Sequence, residues 1–137
     1  MYRILMPVDQ SVDRAVSQAT FVASLPEAAD TVETIVLFVF HEEGDDLPDE
    51  LKQFKSAERI ESVRRAREYL EERSVTVRVL DSSGDTVTDI LETAEQFDVD
   101  SIVVGGRKRS AVGKALFGSV TQSVVLETER PVVVTGG

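Results

Sequence analysis

The sequence predicts an α/β fold: one open five-stranded parallel sheet of order 3-2-1-4-5, Rossmann-like, with helices on both faces. Three observations carry this. Five short runs rich in Val, Ile and aromatics recur along the chain, and helix-period patterns separate them. The runs assigned to the centre are apolar on both faces, as strands covered from above and below must be. A length of 137 residues leads us to expect a single domain, 1–137, large enough to hide roughly two-thirds of its unfolded surface.

The elements follow in order. Strand one spans Tyr2 to Val8. Val12, Ala15, Val16, Ala19, Val22 and Ala23 then repeat at helical spacing, and Pro26 stops that helix. Strand two, Ile35 to Phe40, is apolar throughout. The next segment, His41 to Glu50, carries six acids in ten residues with Gly44 and Pro48, and reads as a loop. Ile60, Val63, Arg67 and Leu70 mark a more charged, more exposed helix. Strand three, Val75 to Leu80, is partly one-sided and suits an edge.

Val87, Ile90, Leu91, Ala94 and Phe97 form the apolar face of a third helix, and Ile102 to Val104 is strand four. A last helix begins at Ser119, where Ser119 and Gln122 have capping-box spacing. Strand five, Val132 to Val134, is an edge in this order yet apolar on both faces. An edge of that kind pairs with another chain, so the expectation is a homodimer joined there; the alternative is a short edge covered by the protein's own helices.

Composition narrows the chemistry. Cysteine is absent, which removes disulfides, thiolate metal sites and cysteine nucleophiles. With a single histidine, His41, a His-rich metal site or a His-paired hydrolase triad is nearly excluded. A net charge of −10 disfavours nucleic acid and anionic membranes as partners. Arginine outnumbers lysine 11 to 4, an acidic, lysine-poor balance that suits either a salt-rich cytoplasm or ordinary solubility. The opening MYRILMPVD lacks a signal-peptide core, and Ile35 to Phe40 is too short to span a bilayer, so a cytoplasmic protein is expected.

In such a sheet the ligand crevice lies beyond the carboxyl ends of the strands where the order reverses, here between strands one and four. Strand one ends in Pro7-Val8-Asp9. Strand four runs into a loop from Gly105 to Ser119 that differs from the rest of the chain. It holds four glycines, at 105, 106, 113 and 118, and the bases Arg107, Lys108, Arg109 and Lys114 within eight positions. Glycines, positive charge and a helix start at Gly118-Ser119 all favour an anion such as phosphate. The bland alternative is a loop whose bases offset the acidic surface. There is no G-x-x-x-x-G-K-[ST], and the turn Asp9-Gln10-Ser11 lacks G-x-G-x-x-G, so neither a Walker loop nor a dinucleotide fingerprint is present.

Over essentially its full length the chain resembles the universal stress protein family. The resemblance is carried by Ile4 to Asp9, Asp98 to Gly105, Gly118-Ser119-Val120-Thr121 and Arg130 to Val134, in order and sensibly spaced. It implies a five-stranded fold of the adenine nucleotide alpha hydrolase-like kind, frequent dimers, and a subset of members that bind ATP. Nucleotide-binding members carry G-x2-G-x9-G-[ST]. Gly105 matches the first glycine, Gly118 the last and Ser119 the hydroxyl, but Lys108 occupies the second glycine position.

If that position needs positive φ, lysine costs roughly 1–2 kcal/mol there. Its stem either fills the phosphate space, leaving a dimeric interaction or protective module, or its ammonium supplies an ionic contact. The resemblance further implies Asp9 near the ribose, Pro7 and Val8 beside the base and backbone groups of Val39 on adenine; Arg107, Ser119 and Val120 join them as nucleotide-binding candidates, Ser119 through its N–H. Asp9 reads equally as a cap for the first helix. The function expected is a module holding ATP or AMP, with Mg²⁺ on the phosphates and no cofactor required for folding. No nucleophile or positioned base stands out, so catalysis would amount at most to weak ATP hydrolysis.

Overall fold

The computed structural model describes residues 1–40, 56–106 and 118–136. The sheet runs from β1 (Tyr2–Pro7) through β2 (Val32–Phe40), β3 (Thr76–Ser83) and β4 (Ser101–Gly105) to β5 (Val132–Thr135). Its order is β3-β2-β1-β4-β5, with every described pair parallel. Among the described residues the longer helices between the strands are α1 (Val12–Ser24), α2 (Glu61–Glu72), α3 (Thr86–Gln96) and α4 (Ser119–Glu127). The predicted order and layering are those observed. The acidic segment His41 to Glu50 lies outside the described residues.

Local chemistry sets the helix ends. Ser11 caps α1, its hydroxyl accepting from Arg14 N at 3.3 Å. Leu25 ends that helix in an extended conformation, φ −65° and ψ 143°, which the following Pro26 demands. Asp85 caps α3 by accepting from the backbone and hydroxyl of Thr88. The cap of α4 is Gly118, which has no side chain to offer, so the expected capping role of Ser119 is corrected: Ser119 is the first helical residue.

Beyond single-residue shifts, two strand boundaries and one short element differ from the pattern reading. β2 begins at Val32, before the apolar run, because Tyr2 to Ile4 need partners and take Val32 to Thr34. β3 continues past Leu80, since Asp81, Ser82 and Ser83 stay in register with Phe38, Val39 and Phe40, and an edge strand tolerates polar side chains. A single helical turn, Ala28–Thr31, leads into β2. It is too short to leave a periodic signal.

Alternation along each central strand divides the core in two. Ile4 and Met6 of β1 join Val36 and Phe38 of β2 and Val103 of β4 under α1 and α2. Leu5, Ile35, Leu37, Ile102 and Val104 face the other way, against Ile90 and Ala94 of α3 and Val124 of α4. At the β5 edge Val133 packs toward the first cluster and Val132 and Val134 toward the second, all three half-buried. Among the described residues no helix is long and apolar enough to cross a membrane.

One core position breaks the pattern. Thr34 of β2 is fully buried and its hydroxyl has no hydrogen-bond partner. A desolvated hydroxyl left unpaired costs on the order of 1–3 kcal/mol, and valine has the same branched shape. Thr34→Val is therefore expected to raise the urea midpoint without changing the slope, by about 1 kcal/mol of stability or more.

Candidate functional site

The β1–β4 ladder is short, with Ile4 opposite Ser101 and Leu5 opposite Ile102. Beyond it the chain leaves β1 for α1 on one face and leaves β4 toward α4 on the other. The strands part, and a crevice opens at their carboxyl ends. Parting exposes backbone carbonyls that the ladder would otherwise satisfy. Gln18, 1% exposed, answers this: its amide nitrogen donates to Pro7 O at 2.7 Å and to Val103 O at 3.0 Å. Both amide hydrogens are spent on tying the floor of the crevice together.

The first wall is the β1–α1 turn. Asp9 Oδ1 accepts from Ser11 N at 2.8 Å, while Oδ2 accepts from Arg14 Nε at 2.9 Å. Asp9 thus shapes the turn, and the expectation that it caps the helix is corrected, because Ser11 holds that place. From α2, the Ser62 hydroxyl donates to Asp9 O at 2.6 Å and fixes the turn from behind. Gly105 ends β4 against this wall. A Cβ there would lie 3.3 Å from Arg14 Cδ and 3.4 Å from Gln18 Oε1, so its absence makes the space those side chains use.

The opposite wall comes from the other core layer. Leu37, Val39, Ile90 and Val104 give it an apolar surface. Val39 lies two residues beyond Leu37, where pairing with β1 ends. Thr86, at the start of α3, lines this side with a buried hydroxyl that has no partner. Closing the crevice, α4 starts at Ser119 with Gly118 as its cap, and the Thr121 hydroxyl donates to Gly105 O at 3.0 Å, which binds this helix to β4. The first-turn N–H groups of α4 have no intrahelical acceptor. Together these walls enclose a cleft of about 520 Å³, within the usual range for small-molecule sites.

The cleft brings together Pro7, Val8, Asp9 and Val39 with Gly105, Gly118, Ser119 and Val120. Arg107 and Lys108 lie outside the described residues. Arg14, Gln18, Thr86 and Thr121 also line the cleft and were not anticipated. Gln18 left a readable signal, a polar side chain on the apolar stripe between Ala15 and Val22. Arg14 left none, for an arginine early in a helix is ordinarily solvated.

The family model for the universal stress protein family matches residues 1–136. The chain belongs to the universal stress protein family. A universal stress protein of Mycolicibacterium smegmatis is 33% identical over 66 residues, a match covering 47% of this chain and 51% of that protein. The chain thus spans about half the length of that curated relative. A universal stress protein structure from Archaeoglobus fulgidus is 27% identical, with a TM-score of 0.75 and 98% of each chain covered. A second from that organism, in complex with dAMP, shares the fold at 24% identity, TM-score 0.72 and 98% coverage of both chains. In this member of the universal stress protein family the crevice rests on a buried glutamine.

Replacing Gln18 with leucine keeps the volume and removes both donors. The Pro7 and Val103 carbonyls would then sit unpaired, a penalty of about 1–3 kcal/mol for each that stays dry. Gln18→Leu is expected to lower stability by about 2–4 kcal/mol in urea titrations, with amide exchange quickening first in the last residues of β1 and β4.

Proposed function

We propose that this chain is a nucleotide-binding module that holds an adenine nucleotide, ATP or AMP, in the β1–β4 crevice. One observation carries the reading: a single cleft joins an apolar wall, a carboxylate on a fixed turn and the open start of a helix. A nucleotide needs these three surfaces. Its base takes the side of Leu37, Val39 and Ile90, where the unpartnered Thr86 hydroxyl offers a polar contact. Asp9 accepts from ribose hydroxyls, with Pro7 and Val8 alongside. Phosphate oxygens meet the first N–H groups of α4 at Ser119 and Val120, after Gly105 and Gly118, with Arg107 and Lys108 of the intervening loop adding charge. The structure of the same fold in complex with dAMP supports this assignment. Among the described residues no three His, Cys, Asp or Glu side chains converge on a cation position, so a Mg²⁺ ion would arrive on the phosphate chain.

The same reading includes a homodimer through Val132 to Val134. β5 pairs with β4 on one side, and the neighbouring α4 exposes Val125 at 43% and Leu126 at 75%. A sheet edge with half-buried valines beside exposed apolar side chains favours a second chain. Sedimentation equilibrium is expected to return twice the chain mass at micromolar concentration, and a monomer mass there would remove the dimer.

Calorimetric titration with AMP, and with ATP in the presence and absence of Mg²⁺, tests the nucleotide. Ser119→Pro is the informative variant. Proline suits the first helical position, and Gly118, at φ −64° and ψ 161°, already has the extended backbone that a following proline requires. The substitution leaves the helix intact while deleting the N–H and the hydroxyl, so AMP affinity should fall about tenfold or more with the melting temperature held. Absence of binding by the wild type, with binding gained in Lys108→Gly, would instead assign a pocket blocked by that lysine. Absence in both would leave an interaction module.

A further inference from the structure

Arg14 is the cationic side chain that lines the cleft among the described residues. It starts from the first turn of α1 and lies over the end of β4, its Cδ 3.3 Å from where a Gly105 Cβ would stand. Its Nε then reaches Asp9 Oδ2 at 2.9 Å. One side chain therefore runs along this wall of the crevice, linking helix, strand end and carboxylate. Only Nε is engaged in the described structure, and the two terminal nitrogens take no described partner.

The pair is half in solvent, with side chains 33% and 57% exposed, a setting in which ion pairs are weak and exchangeable. Asp9 does not depend on it, since Ser11 N holds the other carboxylate oxygen. Guanidinium presents the same planar fork to a carboxylate and to a phosphate, and a phosphate carries more charge and more acceptors.

We propose that Arg14 is the residue by which the cleft distinguishes a phosphorylated ligand from an uncharged one. With no phosphate present, Arg14 rests on Asp9. When the ligand carries a phosphate, the guanidinium transfers to its oxygens, and the Asp9 Oδ2 it leaves becomes available to ligand hydroxyls. This inference rests on the nucleotide reading above and assigns it a specificity determinant outside the glycine-rich loop.

The readout is the preference for AMP over adenosine, measured by calorimetry on the full chain in one buffer. Arg14→Gln is expected to lower AMP affinity about 10- to 100-fold while leaving adenosine affinity within about twofold, so the preference collapses. Adenosine binding also reports that the variant is folded. Asp9→Asn removes the resting partner instead, and should raise the preference several-fold even as both ligands lose the ribose contact. If the wild type binds AMP and adenosine but neither variant moves the ratio, Arg14 is not the determinant and the nucleotide reading stands. If the wild type binds neither, the nucleotide reading falls and takes this inference with it.

Discussion

Two strands that must part at one end leave carbonyls without a ladder, and the molecule depends on how that gap is filled. Water could fill it, but the position is buried beneath α1, so the answer has to come from protein. The Gln18 amide, bonded to both strands, meets the need with one side chain. Its helix is consequently fixed in height and rotation against the sheet. One turn earlier, Arg14 is thereby carried onto the rim, and Ser11 is set to cap the helix and hold the Asp9 turn. The crevice is the by-product of a sheet whose order reverses, but its width and the direction of its polar groups come from this brace.

The electrostatics of the cleft run against those of the chain. A net charge of −10 repels an anion at long range, yet at physiological salt such fields fade over about 8 Å. Contacts within hydrogen-bond distance survive that screening, and here they are of the right sign: an arginine and the start of a helix, with Asp9, the one acid among the described residues lining the cleft, already engaged by two donors. Local geometry therefore outweighs global charge in deciding what the cleft attracts. The global charge still acts on approach, which makes the rate of anion entry more sensitive to salt than the grip on an anion once inside.

Much of the fold was legible in the residues. The one-sided pattern of Val75 to Leu80 and the continuous apolarity of Ile35 to Phe40, joined to right-handed crossovers, pointed to the strand order, while Val132 to Val134, apolar on both faces yet an edge, was the misfit. The boundaries were less so: Val32 and Ser83 are strand residues because a neighbouring strand needs a partner, and that demand is invisible in a local window. The crevice could be located from the Gly105 loop and Asp9, which are locally unusual. Arg14 and Thr86 could not, since their importance lies in what they face across the sheet. Ser119 illustrates a near miss. The helix start was read correctly, but a glycine can hold the cap position when extended backbone rather than a side-chain oxygen is what the turn requires.

Gly105 and Gly106 follow one another yet look in opposite directions. The first yields its side-chain space to Arg14 and Gln18. The second presses on the last strand, where a Cβ would stand 2.6 Å from the Thr135 carbonyl oxygen, while its N–H donates to that oxygen at 2.8 Å. The outer border of the sheet and its inner cavity are in this way joined by a single rigid peptide link. The residue that leaves room for the side chains of the cleft is thus the immediate neighbour of the one that holds the outer border of the sheet.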